Sequence, residues 1–255
     1  MKSGYAHVNN IDMYYEIHGK GLPLVLIHGG GSTIGTTFGI VLPMLAQTRQ
    51  VIAVELQGHG HTKDIDRPLS FEQDADDVAA LLKQLNISKA DIFGFSNGGS
   101  TAMQIAIRHP EVVRKLVVAS AAYRRDAFYP EFWTFMPQAS LENMPKPLQD
   151  EYLKITNDLQ GLRTMHDRDK QRMLDFKDWP ADALRSIQVP VLFIDGDKDV
   201  VKPEHTIEMY RLVPNARLAI LPGGHGEYIG EIMFRSAHSK LPELTVTMVN
   251  EFLDI

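Results

Sequence analysis

Apolar residues in this chain gather in short continuous runs. They read LPLVLIHG (22–29), QVIAVELQGHG (50–60), ADIFGFS (90–96), RKLVVASAA (114–122), VPVLFIDGD (189–197) and ARLAILPGG (216–224). Rich in Val, Ile and Leu and without polar alternation, they predict strands covered on both faces. Residues 5–18, YAHVNNIDMYYEIH, predict two further strands joined at Asn9-Asn10, because Asn tolerates the positive φ that a two-residue hairpin turn needs.

Helical spacing lies between several of these runs. In 70–85, Val78, Leu81, Leu82 and Leu85 share one face, and Ser70 with Gln73 three residues on predicts a capping box. Residues 98–109, 203–212 (opening at Pro203) and 242–253 also predict helices. Buried strands alternating with helices imply an α/β fold with a mostly parallel central sheet. The rhythm breaks over 124–187, which holds no strand-like run but carries Phe128, Phe132, Trp133, Met136 and five prolines. That segment predicts a helical insertion dividing a core of 1–123 and 188–255. It is either a surface elaboration with its own small core or a lid whose apolar underside lines a pocket. Its place after the carboxyl end of a strand, where open α/β sheets bind ligands, favours the lid.

Composition narrows the setting. The 255 residues are enough for a large core, and 44% hydrophobic with 23% charged residues is ordinary for a globular chain. Net charge is −6 and no basic block occurs, which argues against nucleic acid as a partner. With no cysteine, disulfides and thiolate metal sites are excluded. The opening MKSGYAHVNN has no apolar stretch of the secretory kind and no run approaches the ~20 residues of a membrane helix, so the expected setting is cytoplasmic without a membrane partner.

Gly94-Phe95-Ser96-Asn97-Gly98 matches G-x-S-x-G, in the context that motif requires: an apolar strand before it and a helix after it. A serine hydroxyl needs a positioned base. His225, in LPGGHGEY directly after a predicted strand, is the candidate, since the other histidines lie on strands, at helix ends or in loops no strand delivers. The base needs a carboxylate to orient it. FIDGDKDVVKP offers Asp195, still on its strand, and Asp197 and Asp199 beyond it. Asp199 is the candidate because its loop can bend toward His225, with Asp197 as rival unless it only forms the turn beside Gly196. For the oxyanion, the backbone N–H of Asn97 and one from HGGGST (28–33) are the candidate donors, Gly30 first and Gly31 next. His28 precedes the acid and is read as a hydrogen-bonding residue of the loop. His59, His61, Asp64 and Asp66 lie close in sequence in the manner of a metal cluster, but no second cluster completes a site and they are read as a strand-end loop.

Together these motifs resemble the α/β-hydrolases, specifically the esterase- and lactonase-like group with a single lid, along essentially the whole chain. The resemblance implies Ser96 as nucleophile, Asp199 as acid and His225 as base, His28-Gly29-Gly30 as the oxyanion loop and Gly58-His59-Gly60 as a strand-end signature. Gly196, Asp199 and Pro203 meet the family's G-x-x-D-x-x-x-P pattern, which supports Asp199 over Asp197. Two departures stand out: Glu55-Leu56-Gln57 precedes GHG, and serine replaces the aspartate of related dehalogenases and epoxide hydrolases. The expectation is a cofactor-free and metal-free serine hydrolase of small-molecule carboxylic esters, monomeric or homodimeric, with a pocket formed by Gly31, Phe128, Phe132, Trp133 and Met136. Lactone or C–C hydrolysis, acyl transfer and peroxidation use the same triad. A proline-releasing aminopeptidase would need an acidic group such as Glu131, Glu142 or Glu151 for the amine, and a ligand receptor of this fold would bind tightly without turnover.

Overall fold

Every non-alternating run becomes a strand. In the computed structural model, which describes residues 1–236 and 238–255, the strands are β1 (Lys2–Val8), β2 (Ile11–His18), β3 (Leu22–Ile27), β4 (Arg49–Val54), β5 (Ala90–Phe95), β6 (Val113–Ala119), β7 (Val191–Gly196) and β8 (Ala216–Leu221). They form one sheet in the order β1-β2-β4-β3-β5-β6-β7-β8. β1–β2 and β2–β4 pair antiparallel, the rest parallel. Asn9 and Asn10 take φ of 45° and 72° and close the hairpin, opposing Val8 to Ile11. β5 and β7 are buried at every residue. β8 departs from the expectation: it is only half-buried, because as the sheet's edge it has no strand on its outer side.

The helices are α1 (Ile34–Phe38), α2 (Val41–Leu45), α3 (Phe71–Gln84), α4 (Asn97–Arg108), α5 (Pro130–Phe135), α6 (Lys146–Thr156), α7 (Leu159–Asp175), α8 (Ala181–Arg185), α9 (Pro203–Leu212) and α10 (Leu241–Asp254). None among the described residues is long and apolar enough to cross a membrane. Alternate residues of each central strand serve opposite layers. Val25, Ile27 and Ile92 pack with α3 and α4, whereas Leu24, Leu26 and Phe93 pack with α1, α2 and α10. The result is a mostly parallel sheet flanked by helices, the architecture that the sequence predicts. Ser70 caps α3 through Gln73 N–H (3.1 Å), but the capping box is only half formed. The Gln73 amide donates instead to Asp77 (2.9 Å), a carboxylate one turn along the same helix.

Between β6 and β7 the regular elements are helices joined by loops, apart from a single bridge of Phe128 to Val201. Leu141, Tyr152, Leu162 and Met165 form a small cluster of this segment's own. Met136, Met173, Phe176 and Trp179 instead join the main core, with Phe71 of α3 edge-on to Phe176 and Trp179. The segment is thus both self-packed and fastened across the carboxyl ends of the strands.

Candidate active site

Ser96 ends β5 and precedes α4 with φ +55° and ψ −122°, a left-handed conformation costly for a residue with a side chain by about 1–3 kcal/mol. Hydrogen bonds hold it there: its N–H donates to Ala119 O (2.8 Å), and its carbonyl accepts from Gly99 (2.9 Å) and Ser100 (3.1 Å). The flanking glycines serve close approach. A methyl group on Gly94 would lie 2.0 Å from Gly98 O, and one on Gly98 would lie 2.2 Å from Ile27 O. Only without side chains there can α4 start against β3 while the serine projects above the sheet.

The three residues proposed for the relay come together from three strand ends. Ser96 Oγ lies 3.0 Å from His225 Nε2, and His225 Nδ1 lies 2.6 Å from Asp199 Oδ1. An ionised carboxylate only accepts, so Nδ1 carries the proton and Nε2 turns its lone pair to Ser96. Burial alone would depress His225, but the charge of Asp199 and its hydrogen bond outweigh that and raise the imidazole above its ordinary 6.5. Asp199, which burial alone would raise, is brought down to about 2 by His225 and by hydrogen bonds from Ser120 (2.6 Å) and Val201 N–H (3.1 Å).

The rival aspartates have other work. Asp197 accepts from Gly223 N–H at 2.8 Å, which ties the loop after β7 to the loop after β8 that carries His225 rather than closing a local turn beside Gly196. Asp195 is fully buried, accepts from Thr206 Oγ1–H (2.6 Å) and Gly196 N–H (2.9 Å), and stands near Asp199. Burial and that neighbouring carboxylate push it up to about 8, so it is neutral at pH 7. Ser120 and Tyr228, which sequence reasoning missed, complete the support: the Tyr228 hydroxyl lies 2.6 Å from Ser120 Oγ, which donates to Asp199. Their separation of 79 and 108 residues from their partners leaves no local signal of this arrangement.

The loop after β3 passes directly beside the serine. A methyl group on Gly29 would lie 3.3 Å from Ser96 Cβ, and one on Gly30 would lie 2.3 Å from Asn97 Nδ2. Gly31 N–H donates to Asp169 of α7. No acceptor among the described residues meets the N–H of Gly30 or Asn97. His28 braces the loop: Nε2 accepts from Leu56 N–H (3.1 Å) and Nδ1 donates to Gly29 O (2.7 Å). Burial and the neighbouring His59 push it down to about 3, so it is neutral.

A cavity of about 410 Å³ opens above Ser96, His225, Gly30 and Asn97. Of the residues expected to line it, Gly31, Phe128, Phe132 and Met136 do. Trp133 does not: its indole N–H donates to Arg125 O (2.8 Å) and its ring stacks on the Arg125 guanidinium at 3.6 Å, so the polar edge of the indole is satisfied away from the cavity. Phe71, Met173 and Phe176 add apolar wall that sequence did not reveal. Glu131, Glu142 and Glu151 are not in the wall; among the described residues its one carboxylate is Asp169, engaged with Gly31, His59 and Arg172. The four residues of the 59–66 loop disperse. His59 meets Asp169 (2.8 Å), His61 meets Glu55 (2.8 Å), Asp64 accepts from Gln57 (2.8 Å), and Asp66 is exposed.

Residues 23–231 match the family model described as alpha/beta hydrolase fold. A pimeloyl-[acyl-carrier protein] methyl ester esterase of Neisseria meningitidis is 31% identical over 222 residues, 77% of this chain and 82% of that protein. The human serine hydrolase BPHL is 29% identical over 259 residues, 94% of this chain and 85% of its own length. Among solved structures, an enol-lactonase from Burkholderia xenovorans superposes with a TM-score of 0.77 at 22% identity, covering 98% of this chain and all of that one, a likeness of fold.

Proposed function

The chain belongs to the α/β-hydrolase family and is by family a hydrolase; from that premise we propose that it is a serine hydrolase cleaving carboxylic esters with an apolar acyl or alcohol group. One observation carries the reading: the unbroken relay from Ser96 Oγ through His225 to Asp199 opens into an apolar cavity beside two N–H groups that have no acceptor among the described residues. In this reading His225 Nε2 takes the Ser96 proton as Oγ attacks the ester carbonyl. The resulting oxyanion accepts from Gly30 and Asn97 N–H. His225 then protonates the leaving alcohol, water enters, and His225 activates it to free the acid and restore Ser96. Asp199 stays ionised and holds the imidazole in the productive tautomer. That the relative from Neisseria is a methyl ester esterase favours esters among the bonds this machinery can break.

A fluorophosphonate should label Ser96 covalently, and hydrolysis of short p-nitrophenyl esters should fall ~10³-fold or more in Ser96→Ala, because the members of such a relay act as a unit. Wild-type turnover in that variant would sink the reading. With lactones, amino-acid amides and acyl acceptors alongside, the same panel compares the other bonds open to this relay. A chain-length series of esters should show a maximum set by the phenylalanine- and methionine-lined cavity, and a flat profile would count against the apolar pocket.

A further inference from the structure

Asp169 belongs to α7, in the segment between β6 and β7, yet its carboxylate touches the loop beside the nucleophile. It is 8% exposed and part of the cavity wall. Oδ2 accepts from Gly31 N–H and lies 2.8 Å from His59 Nε2; Oδ1 accepts from Arg172, one turn along the same helix. Arg172 in turn donates to Asp74 of α3 at 2.7 Å. His59 Nδ1 faces Gln57 O at 2.9 Å, which can only accept, and Nε2 faces a carboxylate, so both ring nitrogens donate and the buried ring is an imidazolium. Although burial opposes that charge, Asp169 raises the His59 pKa, and Arg172 and His59 hold Asp169 well below the usual carboxylate range.

Two consecutive amides, Gly30 and Gly31, stand in the loop beside Ser96. Gly31 takes φ +63°, so the chain turns there, and its N–H is already spent on Asp169. A bare carboxylate in the cavity wall would repel an oxyanion forming nearby; His59 and Arg172 neutralise it, which lets an anion grip this loop without opposing the charge that develops at Ser96.

We propose that Asp169 is a positioning residue for the oxyanion hole: by holding Gly31 N–H it fixes the peptide next to Gly30 and leaves Gly30 N–H as the loop's donor toward Ser96. The assignment rests on the ester-hydrolase reading above. It also gives His59 of the Gly58-His59-Gly60 turn a task, as counter-cation to the residue that sets the loop, and makes the geometry of the hole depend on α7 being seated.

The test compares wild type, Asp169→Ala and the isosteric Asp169→Asn on a p-nitrophenyl ester. Each is then bound to a trifluoromethyl ketone, which adds to a serine as a tetrahedral oxyanion, and to the matching ether, which cannot. Asp169→Ala should lower kcat and ketone affinity together by about 10- to 100-fold, less than the ~10²–10³ of removing a donor outright, with KM and ether affinity within about 3-fold. Asp169→Asn, which keeps an acceptor for Gly31, should recover part of the loss. Unchanged kcat and ketone affinity, or equal losses for ketone and ether, would overturn the assignment. Wild type supplies a measurement independent of variant folding. In amide NMR spectra the ketone should displace the Gly30 resonance and leave Gly31 nearly still; the reverse pattern defeats the proposal. If the ketone adds to Ser96 and Asp169→Ala is silent, only this inference fails. If Ser96→Ala is as active as wild type, the ester-hydrolase reading fails first.

Discussion

His225 works between two opposed influences, burial that favours the neutral ring and Asp199 that favours the charged one, and the second is stronger. A general base must be neutral, so kcat/KM should fall as pH drops through a pKa above the ordinary 6.5 of histidine, while Asp199, ionised down to about 2, adds no limb of its own near neutrality. Asp199→Asn removes the upward pull and leaves burial, so the acid limb should move to lower pH as the rate falls by about 10⁴-fold. A pH–rate profile of both proteins checks this; an acid limb unmoved by the substitution would contradict the account. At this scale the sequence was legible wherever a residue type and its strand end coincide, as with the placement of Ser96 and His225; it did not show that Asp197 ties two loops together across 26 residues. It was silent on Ser120, Tyr228 and the neutral Asp195, because a hydroxyl at a strand end has no local feature that tells of a carboxylate 79 residues away.

At the scale of elements, the junction of β3, β5 and α4 is the most demanding packing in the site. A methyl group on Gly98 would meet two backbone oxygens, Ile27 O at 2.2 Å and His28 O at 2.4 Å, and neither belongs to a side chain that could rotate away. Gly98→Ala should therefore push the end of β3 and the 28–31 loop off α4. Overpacking of this kind costs about 1–3 kcal/mol, and a displacement near 1 Å at the reacting centre lowers kcat by up to ~10²-fold. Denaturant unfolding and steady-state kinetics should register both; a variant with wild-type stability and rate would mean the junction is looser than drawn. Helix and strand existence was legible here because α3, α4, α9 and α10 are long enough for periodicity to show. The five-residue α1 and α2 were not, since one turn carries almost no period. The edge character of β8 was hidden for a related reason, because strand order is set by crossovers that no single run encodes.

Across the whole molecule, the segment carrying α5–α8 is fastened to the sheet by two different materials. One is aromatic packing of Phe71 against Phe176 and Trp179; the other is the buried chain of charges from Asp74 through Arg172 and Asp169 to His59. The sequence marked the helix-bearing segment between β6 and β7 by its missing strands, but the charge chain joins positions about a hundred apart and surfaced only in the fold. Its weak point is Arg172. Burial raises Asp74 to about 6 even against the pull of that guanidinium. A carboxyl raised in the folded state stabilises below its unfolded pKa and loses that contribution as pH rises through the folded one. Arg172→Met would raise Asp74 further, so the variant should lose up to about 3–5 kcal/mol at pH 8 and less at pH 5, where Asp74 takes up a proton. Because the broken contacts lie between α7 and α3, limited proteolysis at pH 8 should cut first within 124–187 while the strands stay protected. Urea melts at both pH values with mapped cleavage sites test it. An equal deficit at pH 5 and pH 8, or first cuts in the sheet, would show that the charge chain does not fasten the segment.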